Sequence, residues 1–248
     1  MKIENLQAVI FDMGDTLIHG NFTAGATESV WEEIYSRLLN PDDSPDIPSL
    51  AEFRRAWLEN VQAAMAQTWL EKPEQELDFL PLVQKAFHAA GMPQANDLDF
   101  IKQVVSLEHH LLYQQVVELA PEAITTLHAL KKRGYRLGLV SNFCNLPEVA
   151  YSNIASIGLL ECFDQTLLSC ELGWRKPSRR IYAAICERLE VAPVECLFVG
   201  DRLVEDILGP QSFGMRTVLT TQFRQEEPTA TVQPDAVITR LEELLSLV

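Results

Sequence analysis

Five acidic side chains, a serine and a lysine stand at the ends of short apolar runs or in the loops that follow them. Val9-Ile10-Phe11 leads into Asp12, with Asp15 just beyond, and Leu139-Val140 leads into Ser141. Val199-Gly200 leads into Asp201, followed by Glu205 and Asp206, and Lys176 lies in the polar stretch Gly-Trp-Arg-Lys-Pro-Ser. Taken alone, Asp12 can bind a divalent cation, act as a nucleophile or cap the turn after it. Asp201 and Asp206 change that balance, because carboxylates on neighbouring strand ends form an oxygen-rich site suited to Mg2+. Such a cation lowers the repulsion between Asp12 and a phosphate dianion and polarises the phosphoryl group. A carboxylate nucleophile then gives an aspartyl-phosphate, which water hydrolyses in a second step. Lys176 can neutralise Asp12 and the transferring group; as an ordinary loop lysine it would only face solvent. Ser141 offers a hydroxyl and a following backbone N–H to a phosphate oxygen, or else caps a turn.

These groups are far apart in sequence, so a fold must gather them. Leu6 to Phe11 reads as a buried strand. From Pro121 onward a strand–helix rhythm follows, with strands near 135–141, 163–169, 194–200, 215–220 and 236–238 and helices near 121–133, 147–157, 178–189 and 239–247. Units of this length predict an α/β, Rossmann-like three-layer sandwich with a mostly parallel sheet, in which ligands sit beyond the carboxyl ends of the strands. That rule brings Asp12, Ser141, Lys176 and Asp201 to one edge. Between about 24 and 120 no convincing strand occurs; helices are expected near 25–40, 49–70, 75–90 and 97–118, broken by Pro41 to Pro48, Lys72-Pro73 and Gly91-Met92-Pro93. The expected division is a core of residues 1–19 and 120–248 and an inserted helical domain of 20–119.

The 248 residues are 47% hydrophobic and 22% charged, enough for a sizeable core. A net charge of −15 repels a phosphodiester backbone, so no nucleic-acid partner is expected. No apolar run is long enough for a membrane span and the N-terminus has no leader pattern, giving a cytoplasmic expectation with no membrane partner. Cys144, Cys162, Cys170, Cys186 and Cys196 contain no CxxC pair and suit small core residues in a reducing compartment. No hydrophobic pattern marks an oligomer interface.

The order and spacing resemble the four motifs of the haloacid dehalogenase-like superfamily. They run Val-Ile-Phe-Asp-Met-Gly-Asp-Thr-Leu at 9–17, Leu-Val-Ser-Asn at 139–142, Lys176-Pro177, and Val-Gly-Asp-Arg-Leu-Val-Glu-Asp-Ile at 199–207. The resemblance implies Asp12 as nucleophile, Thr16 as the usual loop threonine, Ser141 as the phosphate-binding hydroxyl and Lys176 as the steadying cation. It further implies Mg2+ as cofactor, with Asp12, the Gly14 carbonyl and Asp201 as ligands, Asp206 orienting metal-bound water and Glu205 in the neighbouring acidic position. A small phosphorylated metabolite is the implied substrate. The helical insertion matches the family's cap, which closes over the site and selects substrate. His19, Asn21, Arg54, Arg55, Lys72, His109 and His110 are polar candidates there; Trp31, Trp57 and Trp69 suit a cap core, and Trp174 is a substrate-contact candidate.

One departure bears on turnover. The phosphatase branch places a second Asp two positions after the nucleophile, followed by Gly, where this chain has Gly14 and then Asp15. The missing side chain is the usual general acid and base, and Asp15 is the candidate to replace it. The leading reading is a Mg2+-dependent phosphatase of a small phosphomonoester. The alternatives are a weakly active or non-catalytic phospho-ligand-binding protein, a 2-haloacid dehalogenase, which would gain little from the acidic Asp201, Glu205 and Asp206 group, and a phosphonate-cleaving enzyme, whose expected cap lysine is not assigned to any residue here.

Overall fold

The computed structural model describes residues 2–20, 24–39 and 46–248. Asn21 and Pro41, singled out from the sequence, lie outside them. In chain order the strands are β1 (Ala8–Phe11), β2 (Ile18–Gly20), β3 (Val117–Leu119), β4 (Arg136–Ser141), β5 (Gln165–Leu168), β6 (Cys196–Gly200), β7 (Arg216–Thr220) and β8 (Ala236–Ile238). The helices are α1 (Ala24–Leu38), α2 (Leu50–Trp57), α3 (Ala63–Glu71), α4 (Phe79–Ala90), α5 (Leu98–Val116), α6 (Ala123–Lys132), α7 (Pro147–Ser156), α8 (Ser169–Leu172), α9 (Arg179–Leu189), α10 (Gly209–Phe213) and α11 (Leu244–Leu247). The chain forms two compact units. One comprises residues 1–20, 118–143 and 154–248, the other 21–117 and 144–153.

The first unit is built on a six-stranded sheet in the order β5-β4-β1-β6-β7-β8, and its strand pairs are all parallel. Parallel neighbours need crossovers, and the helices that supply them cover both faces. Ala8, Ile10, Val140, Leu167 and Phe198 on one face pack against Ile181, Tyr182, Ile185 and Leu189 of α9. On the other, α6 packs against β4 and α11 against α6. This two-sided cover explains why β1 and β6 read as unbroken apolar runs: every residue of each is buried. Phe11 is level with Leu139 on one side and Val199 on the other, so Asp12, Ser141 and Asp201 emerge at the same edge. β2 and β3 pair separately.

The second unit is helical. Ser49 and Glu52 form a reciprocal capping box that starts α2, Asp97 caps α5 by accepting from the Phe100 N–H, and Gly91 ends α4 with φ of +75°. Trp31, Tyr35, Phe53, Trp57, Phe79 and Phe87 make one buried aromatic cluster, with Trp31 and Trp57 centroids 5.0 Å apart and Phe53 and Phe87 5.2 Å apart. The helix expected over 49–70 is a continuous rod in which a π-helical turn, Leu58–Gln62, joins α2 to α3. The helix expected from 75 begins instead at Phe79, because the Glu76 carboxylate takes the Leu77 N–H and the Trp69 indole N–H outside any helix. Residues 144–153 group with this unit although the sequence rhythm assigned them to the core, since Leu146 and Val149 are buried in its cluster. Among the described residues, no helix is long and apolar enough to cross a membrane.

Candidate active site

Asp12 directly follows β1, its N–H donating to the Val199 carbonyl at 2.9 Å. Lys176 reaches it from the loop before α9: Nζ donates to Asp12 Oδ1 at 2.5 Å and to Asp206 Oδ1 at 2.7 Å. The loop is clamped in both directions by Asn142, whose Oδ1 accepts from the Lys176 N–H at 2.8 Å and whose Nδ2 donates to the Lys176 carbonyl at 3.1 Å. The turn after β4 is fixed in turn by Ser169 Oγ, which accepts from the Phe143 N–H at 2.7 Å. Ser141 is buried at the end of β4 on the same edge as Asp12.

Asp206 is fully buried, and three donors hold it. Besides Lys176, the backbone N–H groups of Asp201 and Arg202 donate to its Oδ2 at 3.2 and 3.0 Å. Gly200 makes this possible: a Cβ there would collide with the Asp206 carboxyl group, so only glycine lets the turn fold back so tightly. Asp201 is also buried; its Oδ2 is bonded, whereas Oδ1 is out of contact with solvent and has no hydrogen-bond partner among the described residues. The Oγ1 of Thr16 is likewise buried without a partner among them.

Three carboxylates, Asp12, Asp201 and Asp206, each offer an oxygen, all within 4.8 Å of one another. Among the described residues Lys176 is the one ammonium bonded to them, and with the Arg224 guanidinium on Asp201 two cations face three carboxylates, an excess of negative charge in a place water scarcely reaches. Burial, reinforced by Asp206 and Asp201, outweighs Lys176 and pushes the Asp12 carboxyl up to about 7. Burial and Asp206 push Asp201 up to about 6 against the hydrogen bond it accepts. Burial alone would depress the Lys176 ammonium, but Asp12 and Asp206 outweigh it and hold it above the ordinary lysine value. Hard oxygen donors, excess negative charge and an orphaned buried carboxylate oxygen fit a divalent cation such as Mg2+.

Glu205 does not join this group. Its carboxylate lies 3.9 Å from Arg202, and its backbone carbonyl accepts from the Tyr182 hydroxyl. Gly14 has open space where a Cβ would stand, and Asp15 has φ of +54°. The Asp15 carboxylate takes two partners: His19 Nδ1 at 2.8 Å on Oδ1 and Arg224 at 2.7 Å on Oδ2. Arg224 also donates through Nε to Asp201 Oδ2 at 2.5 Å. Sequence reasoning missed Arg224, although it lies just beyond the carboxyl end of β7, the edge where the other groups were sought. Trp174 is stacked beneath the Arg180 guanidinium, 3.8 Å away. In the helical unit Trp31 and Trp57 are core residues, and Arg54 pairs with Glu28. His109 and His110 there both bond Asn153.

The family model for haloacid dehalogenase-like hydrolases matches residues 6–214. The chain is 34% identical over 131 residues to a glyceraldehyde 3-phosphate phosphatase of Methanopyrus kandleri, a match covering 52% of this chain and 55% of that one. It spans about half the length of the first curated relatives it matches. Its fold is similar to that of a 2-haloacid dehalogenase from Pseudomonas syringae, with a TM-score of 0.74, 22% identity and coverage of 98% and 97% of the two chains. It also resembles a HAD phosphatase from Thermococcus onnurineus, with a TM-score of 0.62, 24% identity and 97% coverage of both.

Proposed function

The chain belongs to the haloacid dehalogenase-like hydrolases, and from that premise we propose that it is a Mg2+-dependent phosphatase acting on a small phosphomonoester through an aspartyl-phosphate. One observation carries this reading: Asp12 is buried against Lys176 beside Asp201, whose Oδ1 has no partner among the described residues. A dehalogenase uses a similar nucleophilic Asp without requiring metal and would gain little from three converging carboxylates; a phosphate dianion approaching Asp12 does gain, once they are loaded. Asp12 and Asp201 would hold the cation, with the Gly14 carbonyl as a further ligand and Asp206 beside it. When bound, it supplies the positive charge that lets an anionic nucleophile meet an anionic substrate.

In the proposed reaction the Asp12 carboxylate attacks phosphorus, an O–P bond forms and the bond to the leaving oxygen breaks, the departing alkoxide taking its proton from solvent because no side chain stands at Gly14. Lys176 stays hydrogen-bonded to the nucleophile and offsets charge gathering on the phosphoryl oxygens. Ser141, at the same strand edge, is the proposed phosphate-binding hydroxyl. Water then attacks the aspartyl-phosphate, regenerating Asp12 and releasing phosphate. The helical unit is the proposed selector of substrate.

A second reading, a phospho-ligand-binding protein with little turnover, is favoured by Gly14, where no side chain stands to protonate the leaving alcohol. Phosphate release from a panel of phosphomonoesters, with and without Mg2+, separates the two. Turnover that requires Mg2+ and disappears in Asp12→Asn is the expected result. Binding of Mg2+ and of a phosphate analogue with no release from any ester would establish the second reading instead.

A further inference from the structure

Asp15 and Arg224 have a place in the structure that proton transfer does not explain. Arg224 is carried on the loop after β7, and that loop is pinned at both ends. The Thr221 N–H donates to the Ile238 carbonyl at 2.9 Å, and Glu226 Oε2 accepts from the Leu203 N–H at 2.7 Å. From this fixed loop the guanidinium spans two carboxylates, donating through Nε to Asp201 and through its terminal nitrogen to Asp15. Asp15 is itself steadied by His19, whose ring stacks on Phe223 at 4.7 Å between centroids with the planes 6° apart. The result is a chain of contacts that leaves the β7 loop at Phe223, passes through His19 and Asp15, and returns to it at Arg224.

What the chain fixes is the carboxyl plane of Asp201. With Oδ2 held by Arg224, the other oxygen, Oδ1, is buried without a hydrogen-bond partner among the described residues. We propose that Asp15 and Arg224 are a positioning pair that orients Asp201 so that Oδ1 faces the cation, and that this is the role of Asp15 in place of proton transfer. Asp15 keeps the guanidinium from swinging out to solvent or across the cation site; Arg224 sets the angle of Asp201. A partner in contact with a ligating group commonly controls metal affinity about 10- to 100-fold.

The proposal rests on the Mg2+ reading above, and its test is direct binding of Mg2+ by isothermal titration calorimetry, independent of turnover. Single charge removals confuse orientation with electrostatics, since losing Arg224 alone attracts a cation and losing Asp15 alone repels it. The double variant Asp15→Asn with Arg224→Met removes the pair at unchanged net charge, and asparagine tolerates the left-handed backbone at position 15. The expected result is a Kd for Mg2+ weakened about 10-fold or more in the double variant. Arg224→Lys is expected to weaken it too, because a single ammonium keeps the charge but cannot reproduce the planar fork. Should the double variant fail to fold, the lysine variant carries the same test. Affinity within about twofold of wild type would overturn the proposal. Wild-type protein that binds no Mg2+ would instead overturn the metal reading, and the positioning role with it.

Discussion

Replacing Asp12 should make the metal-free protein more stable. In the folded state Asp12 shares a buried site with Asp201 and Asp206, and its carboxyl is pushed from 3.8 up to about 7, chiefly by burial. That rise corresponds to an upper limit of about 4 kcal/mol lost by keeping the group ionised at pH 8. Asp12→Asn relieves that cost, and the attraction of Lys176 is already part of the balance that sets the value near 7. The gain expected is then up to about 4 kcal/mol, or a rise in Tm of up to roughly 8–16 °C for a chain of this size. The pH dependence has a definite sign. Between the unfolded value near 3.8 and the folded value near 7, the native state keeps a proton that the unfolded state has released. This contribution to stability is therefore full below the unfolded pKa and is lost as pH rises through about 7. Thermal unfolding in EDTA at pH 5 and pH 8 should show the variant's advantage at pH 8 and a smaller one at pH 5. Added Mg2+ should then raise the wild-type Tm and close the gap. An Asp12→Asn protein no more stable than wild type at pH 8 in EDTA would refute the picture of an overcharged, cation-seeking site.

Restoring the family's usual order with Gly14→Asp and Asp15→Gly should raise turnover at saturating Mg2+ by about 10- to 100-fold, since a positioned general acid is worth at least that; the same variant should need more Mg2+, because Arg224 loses Asp15. Steady-state kinetics across a Mg2+ titration reads both effects, and unchanged or lower kcat in the folded variant sinks the first. Lys176→Met leaves Asp12 and Asp206 buried without their ammonium and should destabilise the metal-free protein by about 3–5 kcal/mol in urea unfolding at pH 8. In the helical unit, Phe53→Ala empties a fully buried ring site and should cost about 3–5 kcal/mol by the same measurement. Burial holds the His109 imidazole down to about 4, so its contribution to stability is present above about 6.5 and lost as pH falls through about 4. His109→Gln should flatten the decline between those limits, and an identical decline would remove His109 as its source.

Most of the core was legible because its information is local. β1 and β6 are uninterrupted apolar runs since both faces of the sheet are covered, and each is followed directly by the residue that begins the site, Asp12 or Asp201. Lys176 could be placed near them only because parallel strands deliver their carboxyl ends to one edge. What stayed hidden depends on side chains meeting across the fold. Nothing in the sequence around Arg224 marks it as more than a loop arginine; its meaning comes from Asp15 and Asp201, which reach it through space. Glu205 and Asp206 show the converse. They are neighbours in one acidic motif, yet only Asp206 turns inward, because Gly200 leaves room for a carboxyl group beneath the turn while Glu205 projects toward Arg202.

The Gly14-Asp15 pair is where sequence and local physics disagree most, and that disagreement is informative. Position 14 has room for a side chain and carries none; position 15 has φ of +54°, a conformation that favours glycine, and carries a carboxylate. By backbone preference alone the two residues are the wrong way round. A non-glycine residue in the left-handed region costs about 1 kcal/mol, less for Asp than for most. At position 15 that cost is set against two hydrogen bonds to the carboxylate, one of them from a guanidinium, each worth about that much or more. On the proposed reading the exchange does more than leave the site short of an acid: it puts at position 15 a carboxylate that reaches Asp201 through Arg224.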